Sequence, residues 1–160
     1  IEKGKKEHSK FKDKINHYDG KKINFEDNSL DVILMFDVIE HIPNVEQFLK
    51  NEVYRVLKKE GIFIFQTPNK YINIPWEIIN QRSFKKWKRY HCSLQTKKSL
   101  RKMISMAGFK QVSIEKNNIL TKHNKDKVKK KMGLLGIFII YLLNILPLSS
   151  YPNLWGVGIK

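Results

Sequence analysis

The 160-residue chain carries 31 Lys+Arg against 15 Asp+Glu, a formal net charge of +16, with 41% apolar residues. That length and apolar content suit one domain and exclude disorder along the whole chain. A single cysteine, Cys92, excludes an intramolecular disulfide framework and any multi-cysteine zinc site, and fits a reducing cytoplasm.

The basic residues are 27 Lys and only 4 Arg. Bidentate recognition of phosphate and guanine favours Arg, so the excess reads first as lysine-rich solvated faces and argues against nucleic acid as partner. The dense cluster is Lys122–Lys131, with six lysines, His123 and one acid, Asp126.

In chain order, a lysine-rich amphipathic helix leads to a candidate strand at Ile15–Tyr18. Val32-Ile33-Leu34-Met35-Phe36 is a continuous apolar run, as expected of a strand buried on both faces of a parallel sheet. Asn44 is placed to cap the next helix, with Gln47 as capping-box partner. Val45, Phe48, Leu49, Val53, Val56 and Leu57 follow at helical spacing, and Gly61 is expected to stop the helix. Ile62–Phe65 reads as a second buried strand, so strand, helix and strand form a right-handed crossover of α/β class. Residues 70–95 read as an insertion containing Tyr71, Trp76, Phe84, Trp87 and Tyr90. Thr96 caps a helix bearing Leu100, Met103, Ile104 and Ala107, which Gly108 ends. Phe109–Glu115 and Leu154–Ile159 read as the last strands.

Ligands of open α/β sheets bind outside the carboxyl ends of the strands. Here those ends offer Asp19-Gly20, then Asp37, Glu40 and His41, then Thr67, Pro68 and Asn69. Each alone also reads as a turn residue or a solvated helix entry. Their convergence on one edge is the stronger sign of a binding site.

These same residues carry a family resemblance. Tyr18-Asp19-Gly20-Lys21-Lys22-Ile23-Asn24-Phe25-Glu26-Asp27-Asn28-Ser29-Leu30-Asp31 resembles the G-D-A-x-x-L-P-F-x-D-x-S-F-D segment of class I S-adenosylmethionine-dependent methyltransferases. Phe36-Asp37-Val38-Ile39-Glu40-His41 resembles their post-strand L-E-H, and Arg55–Gly61 their R-V-L-K-P-G-G. Thr67-Pro68-Asn69 and Ala107-Gly108-Phe109 also match. The resemblance covers about residues 1–116 and is closest to the ubiquinone/menaquinone-biosynthesis-like, type 11 branch. It implies a Rossmann-like sheet, S-adenosyl-L-methionine as cofactor and a small-molecule methyl acceptor, lipid- or quinone-like in that branch. Asp19 would accept the adenine amino group, Gly20 would admit the ring, and Phe36 and Asp37 would line the methionine side.

The family's glycine-rich cofactor loop has no counterpart. The only G-x-G is Gly156-Val157-Gly158, with no helix after it. In the family strand order 3-2-1-4-5-7-6, Ile1 falls after the second strand, and the 15–18 strand would lack a neighbour. The chain is therefore expected to be an incomplete methyltransferase domain: a core at 1–121, a basic then apolar segment at 122–148, and a closing strand at 152–160.

Methyl transfer needs an aligned acceptor and a group to take its proton. His41 and His91 are the candidates, each also readable as a structural histidine. Asp37-x-x-Glu40-His41 resembles an E-x-x-E-H cation cluster of some quinone O-methyltransferases. Many relatives carry L-E-H without metal, and no metal is expected. Met132–Leu148 is almost wholly apolar yet short of a membrane span, so it reads either as a packed helix or as a peripheral membrane contact behind its lysines. The competing functions are a methyltransferase-like remnant without activity and a basic module binding membrane surfaces or RNA.

Overall fold

The computed structural model describes residues 2–18, 21–84, 91–115, 119–147 and 151–160. The lysine-rich start forms α1 (Glu2–Glu7) and a 3-10 turn at Ser9–Lys14 that buries nothing. Ile15–Tyr18 is not a strand. No described strand lies beside it to satisfy its backbone groups, and an unpaired segment gains nothing from sheet geometry. Tyr18 instead sets its ring against Phe48, with centroids 6.4 Å apart.

The two apolar runs do pair. β1 (Leu30–Phe36) runs parallel to β2 (Leu57–Pro68), with Val32 opposite Ile62 and Phe36 opposite Gln66. Between them come a 3-10 turn at Ile39–His41, α2 (Val45–Phe48) and a π-helical continuation at Leu49–Tyr54. Val45, Phe48, Leu49 and Val53 are buried, packing beneath Phe63 and Phe65 of β2. Two expected terminal signals act differently. Asn44 precedes α2, but its side chain caps no backbone amide. Gly61 lies inside β2, and the left-handed residue of that turn is Glu60, at φ 61°. A side chain at Gly61 would meet Lys58 O at 2.8 Å, so the glycine serves a close approach rather than a positive φ.

Residues 23–29, which carry much of the family resemblance, are clamped by Arg55. Its guanidinium donates to Ile23 O and Phe25 O (both 2.9 Å), Asp27 Oδ1 (2.8 Å) and Glu52 Oε2 (3.0 Å). Glu52 Oε2 also accepts the Ile23 amide at 2.7 Å. Asp27 first, then Glu52, raise the guanidinium's pKa above its ordinary value.

The expected insertion contains a helix, α3 (Lys70–Gln81), capped by Asn69 Oδ1 accepting from the Tyr71 amide. α4 (Lys97–Met106) forms as its sequence predicts, with a complete capping box between Thr96 and Ser99. Gly108 follows at φ 109°, and β3 (Lys110–Glu115) turns Ile114 into the core. α5 (Lys122–Ile145) is capped by Thr121 and broken at Gly133, whose φ/ψ of 61°/−144° lies outside the helical region. β4 (Asn153–Ile159) closes the sheet, antiparallel to both β2 and β3.

The sheet order is β1-β2-β4-β3. This is the 4-5-7-6 part of the expected order, on an α/β frame. Gly156 and Gly158 belong to β4. A Cβ at Gly156 would overlap the Phe65 ring and Ser113 O, and one at Gly158 would crowd Phe109 and Ile104. The G-x-G is thus a packing feature of β4 and not a cofactor loop.

Candidate active site

The carboxyl ends of β1 and β2 lie side by side, and their following residues form one polar edge. Asp37 turns the chain away from β1 at φ 53°, and its amide donates to Gln66 O at 3.0 Å. That left-handed turn leads into the short 3-10 segment bearing Glu40 and His41. Phe36, the last residue of β1, leans on Trp155 of β4 with centroids 5.3 Å apart. Phe36 and Asp37 are both exposed. Asp19 and Gly20 lie outside the described residues.

Glu40 is the centre of the edge. Only 1% of it is exposed, and its Oε2 accepts the Thr67 hydroxyl at 2.8 Å. Its backbone carbonyl accepts the Ser93 amide at 3.0 Å and faces the Cys92 Sγ at 3.6 Å. His41 Nε2 lies 3.8 Å from Glu40 Oε1, and half of the His41 side chain is open to solvent. A buried carboxylate is tolerated when hydrogen-bonded, and Thr67 from β2 supplies that bond.

His91 reaches this edge through a segment pinned at both ends. Ser93 bonds Glu40, while Gln95 forms a parallel bridge with Asn69 and its carbonyl accepts the Lys70 amide at 2.9 Å. Asn69 is itself buried, donating from Nδ2 to Tyr151 O at 2.8 Å. The His91 ring consequently stands 5.3 Å from that of His41. Its Nδ1 is buried, with no hydrogen-bond partner among the described residues. Glu40, His41 and His91 bring possible ligand atoms within 4.8 Å of one another. One carboxylate and two imidazoles can relay a proton, and they are also a donor set for a borderline divalent ion. Asp37, the first position of the motif seen in sequence, is not part of this cluster. Both histidines expected from sequence are therefore brought together. The residue that sequence reading undervalued is Glu40; its place in the L-E-H motif was the available signal.

Residues 2–65 match the family model described as "Methyltransferase domain". A stretch of 44 residues is 46% identical to a probable S-adenosylmethionine-dependent methyltransferase of Mycolicibacterium smegmatis, covering 28% of this chain and 17% of that protein. Among solved structures, a possible histamine N-methyltransferase of Thermotoga maritima superposes with TM-score 0.60 at 17% identity, covering 95% of this chain and 68% of that one. A Haemonchus contortus phosphoethanolamine N-methyltransferase, solved with phosphomonomethylethanolamine and S-adenosylhomocysteine, gives TM-score 0.51 at 18% identity, covering 86% and 35%. The chain thus spans about a sixth and a third of the length of the mycobacterial and Haemonchus relatives. Sheet order and structural neighbours agree on the fold: it is the Rossmann-like α/β fold also found in S-adenosylmethionine-dependent methyltransferases.

At the end of β1 the described residues offer two groups of the chemistry that such a cofactor would need. Phe36 and Asp37 present an aromatic face and a carboxylate at the strand end, open to a ligand. The only G-x-G is held inside the sheet by Phe65 and Phe109, so it cannot turn its amides toward a ligand.

Proposed function

We propose that this chain carries the acceptor side of an S-adenosylmethionine-dependent methyltransferase acting on a small molecule with a removable proton, lipid- or quinone-like by the sequence resemblance. The observation carrying this reading is the Glu40–His41–His91 cluster at the joined ends of β1 and β2, beside Phe36 and Asp37. S-adenosylmethionine, when bound, supplies the electrophilic methyl group. Phe36 and Asp37 border its place. The solvent-open His41 takes the acceptor's proton, and Glu40 Oε1, at 3.8 Å, is the counter-charge for the protonated ring. Thr67 fixes the carboxylate, and His91 stacks beside His41 to limit its rotation.

The glycine-rich loop belongs, on this reading, to sequence outside residues 1–160. In support, β1 has no second neighbour among the described strands, and it exposes Val32, Leu34 and Phe36. An apolar, unpaired edge of this kind calls for a covering element. Residues 1–160 alone then bind the cofactor weakly, because the backbone donors of that loop are absent.

The test is an amide NMR titration of residues 1–160 with S-adenosylmethionine. The expected result is fast-exchange shifts at Phe36 and Asp37 that do not saturate in the micromolar range. Micromolar binding would show that no external loop is needed. Absence of any shift at Phe36 and Asp37 would favour the remnant reading, in which the strand ends bind nothing.

A further inference from the structure

The two halves of α5 differ sharply in chemistry, and Gly133 divides them. The first half holds the six lysines, of which Lys122, Lys127, Lys129, Lys130 and Lys131 are exposed. In the second half the exposed residues are Leu134, Leu135, Phe138, Tyr141, Leu142 and Ile145. Their spacing puts them on a single helical stripe. Leu134 is 80% exposed and Ile145 77%, values that a buried core helix does not show.

The opposite face is the one the fold uses. Gly136 and Ile140 are buried, and Ile140 packs with Ile119 and Tyr151. The Tyr151 hydroxyl donates to Asn144 O at 2.8 Å, fixing which side of the helix turns inward. The helix is therefore anchored to the domain while its larger apolar face stays open. Lys131 reaches one side chain of α3, its Nζ 4.8 Å from the Trp76 ring centre.

We infer that α5 lies in the surface of an anionic membrane, its Leu134–Ile145 stripe in the acyl boundary and its lysines among the headgroups. Charge and apolarity together select this occupant. An apolar stripe alone suits any apolar partner, but here it adjoins six lysines opposed by one acid, Asp126. A bilayer surface with anionic lipids answers both halves at once. Spanning is excluded for this element: no described helix is long and apolar enough to cross a membrane. At Gly133 the two halves fold back on each other, with Val128 against Gly136 and Lys125 Nζ donating to the Tyr141 hydroxyl at 3.1 Å, so the lysines and the apolar stripe belong to one surface. This surface stands apart from the methyl-transfer reading and does not depend on it.

Co-sedimentation of residues 1–160 with phosphatidylglycerol-containing vesicles, and with pure phosphatidylcholine vesicles, tests the assignment at low and high salt. Wild-type protein is expected to bind the anionic vesicles and to remain partly bound at high salt. The variant Lys127→Glu/Lys129→Glu/Lys130→Glu is expected to lose on the order of 100-fold in low-salt partitioning. The variant Leu134→Ser/Phe138→Ser/Ile145→Ser should keep low-salt binding and lose retention at high salt. All three positions of that second variant are exposed, so circular dichroism and melting should match the wild type. Failure to bind anionic vesicles at low salt overturns the inference. So does an apolar-stripe variant retained like wild type at high salt. A dimer that this variant dissolves, without vesicle binding by the wild type, assigns the stripe to a second copy instead. Retention on an RNA oligonucleotide without vesicle binding assigns the lysines to nucleic acid and equally overturns it.

Discussion

Arg55 shows how a single side chain holds the segment that carries the family resemblance. Residues 23–29 form neither helix nor strand, so their carbonyls need partners from outside, and the guanidinium fork supplies them. A lysine has the charge but not the planar set of donors. Arg55→Lys is therefore expected to lower stability by about 2 kcal/mol, read from urea unfolding, and to loosen residues 23–27 in hydrogen exchange. His91 gives the opposite expectation. Its Nδ1 is buried with no partner among the described residues, and an unsatisfied buried nitrogen weakens a fold. His91→Phe is expected to leave stability unchanged or raise it by up to about 1 kcal/mol. A loss of stability beyond that would mark His91 as a structural histidine and remove it from the proposed site.

Among the elements, local signals succeed where the chain alone can satisfy them. Thr96 and Ser99 complete a reciprocal cap because both partners lie within one turn. Asn44 has the right type and the right partner spacing, yet the entry to α2 has ψ 64° and the side chain caps nothing. That geometry follows from the left-handed exit at Asp37 and the 3-10 turn before it, neither of which the spacing reveals. β4 illustrates the dependence of a glycine's role on its neighbours. Gly156→Ala is expected to cost about 3 kcal/mol or more by pushing a Cβ into the Phe65 ring and Ser113 O. Gly4→Ala, in the exposed α1 with open space at that position, should gain up to about 1 kcal/mol through helix propensity. Paired urea titrations of the two variants read both signs. α5 obeys its own sequence pattern as a helix, while the sequence leaves open which face would be covered.

At the scale of the whole molecule, apolar runs, caps and motif order were sufficient to place the chain in the α/β class, including a closing strand near residue 154; that this strand runs antiparallel is seen only in the structure. These patterns are local, because strand and helix periodicities are set by residues near in sequence. The pairing of His41 and His91 at the edge was not legible. His91 arrives there only because Ser93 and Gln95 bond Glu40 and Asn69–Lys70, contacts between segments distant in the chain. The burial of Glu40 was hidden for the same reason, since Thr67 reaches it from the neighbouring strand across 27 residues. Residues 15–18 do not form a strand because a short local segment says nothing about whether a neighbour exists to receive its hydrogen bonds. The sequence by itself determined that Met132–Leu148 is apolar and that lysines precede it. Only the tertiary structure decided that the small face, Gly136 and Ile140, turns inward and the large apolar face stays outside. Burial is a property of what surrounds a residue, and those surroundings are assembled from parts of the chain that no local pattern connects.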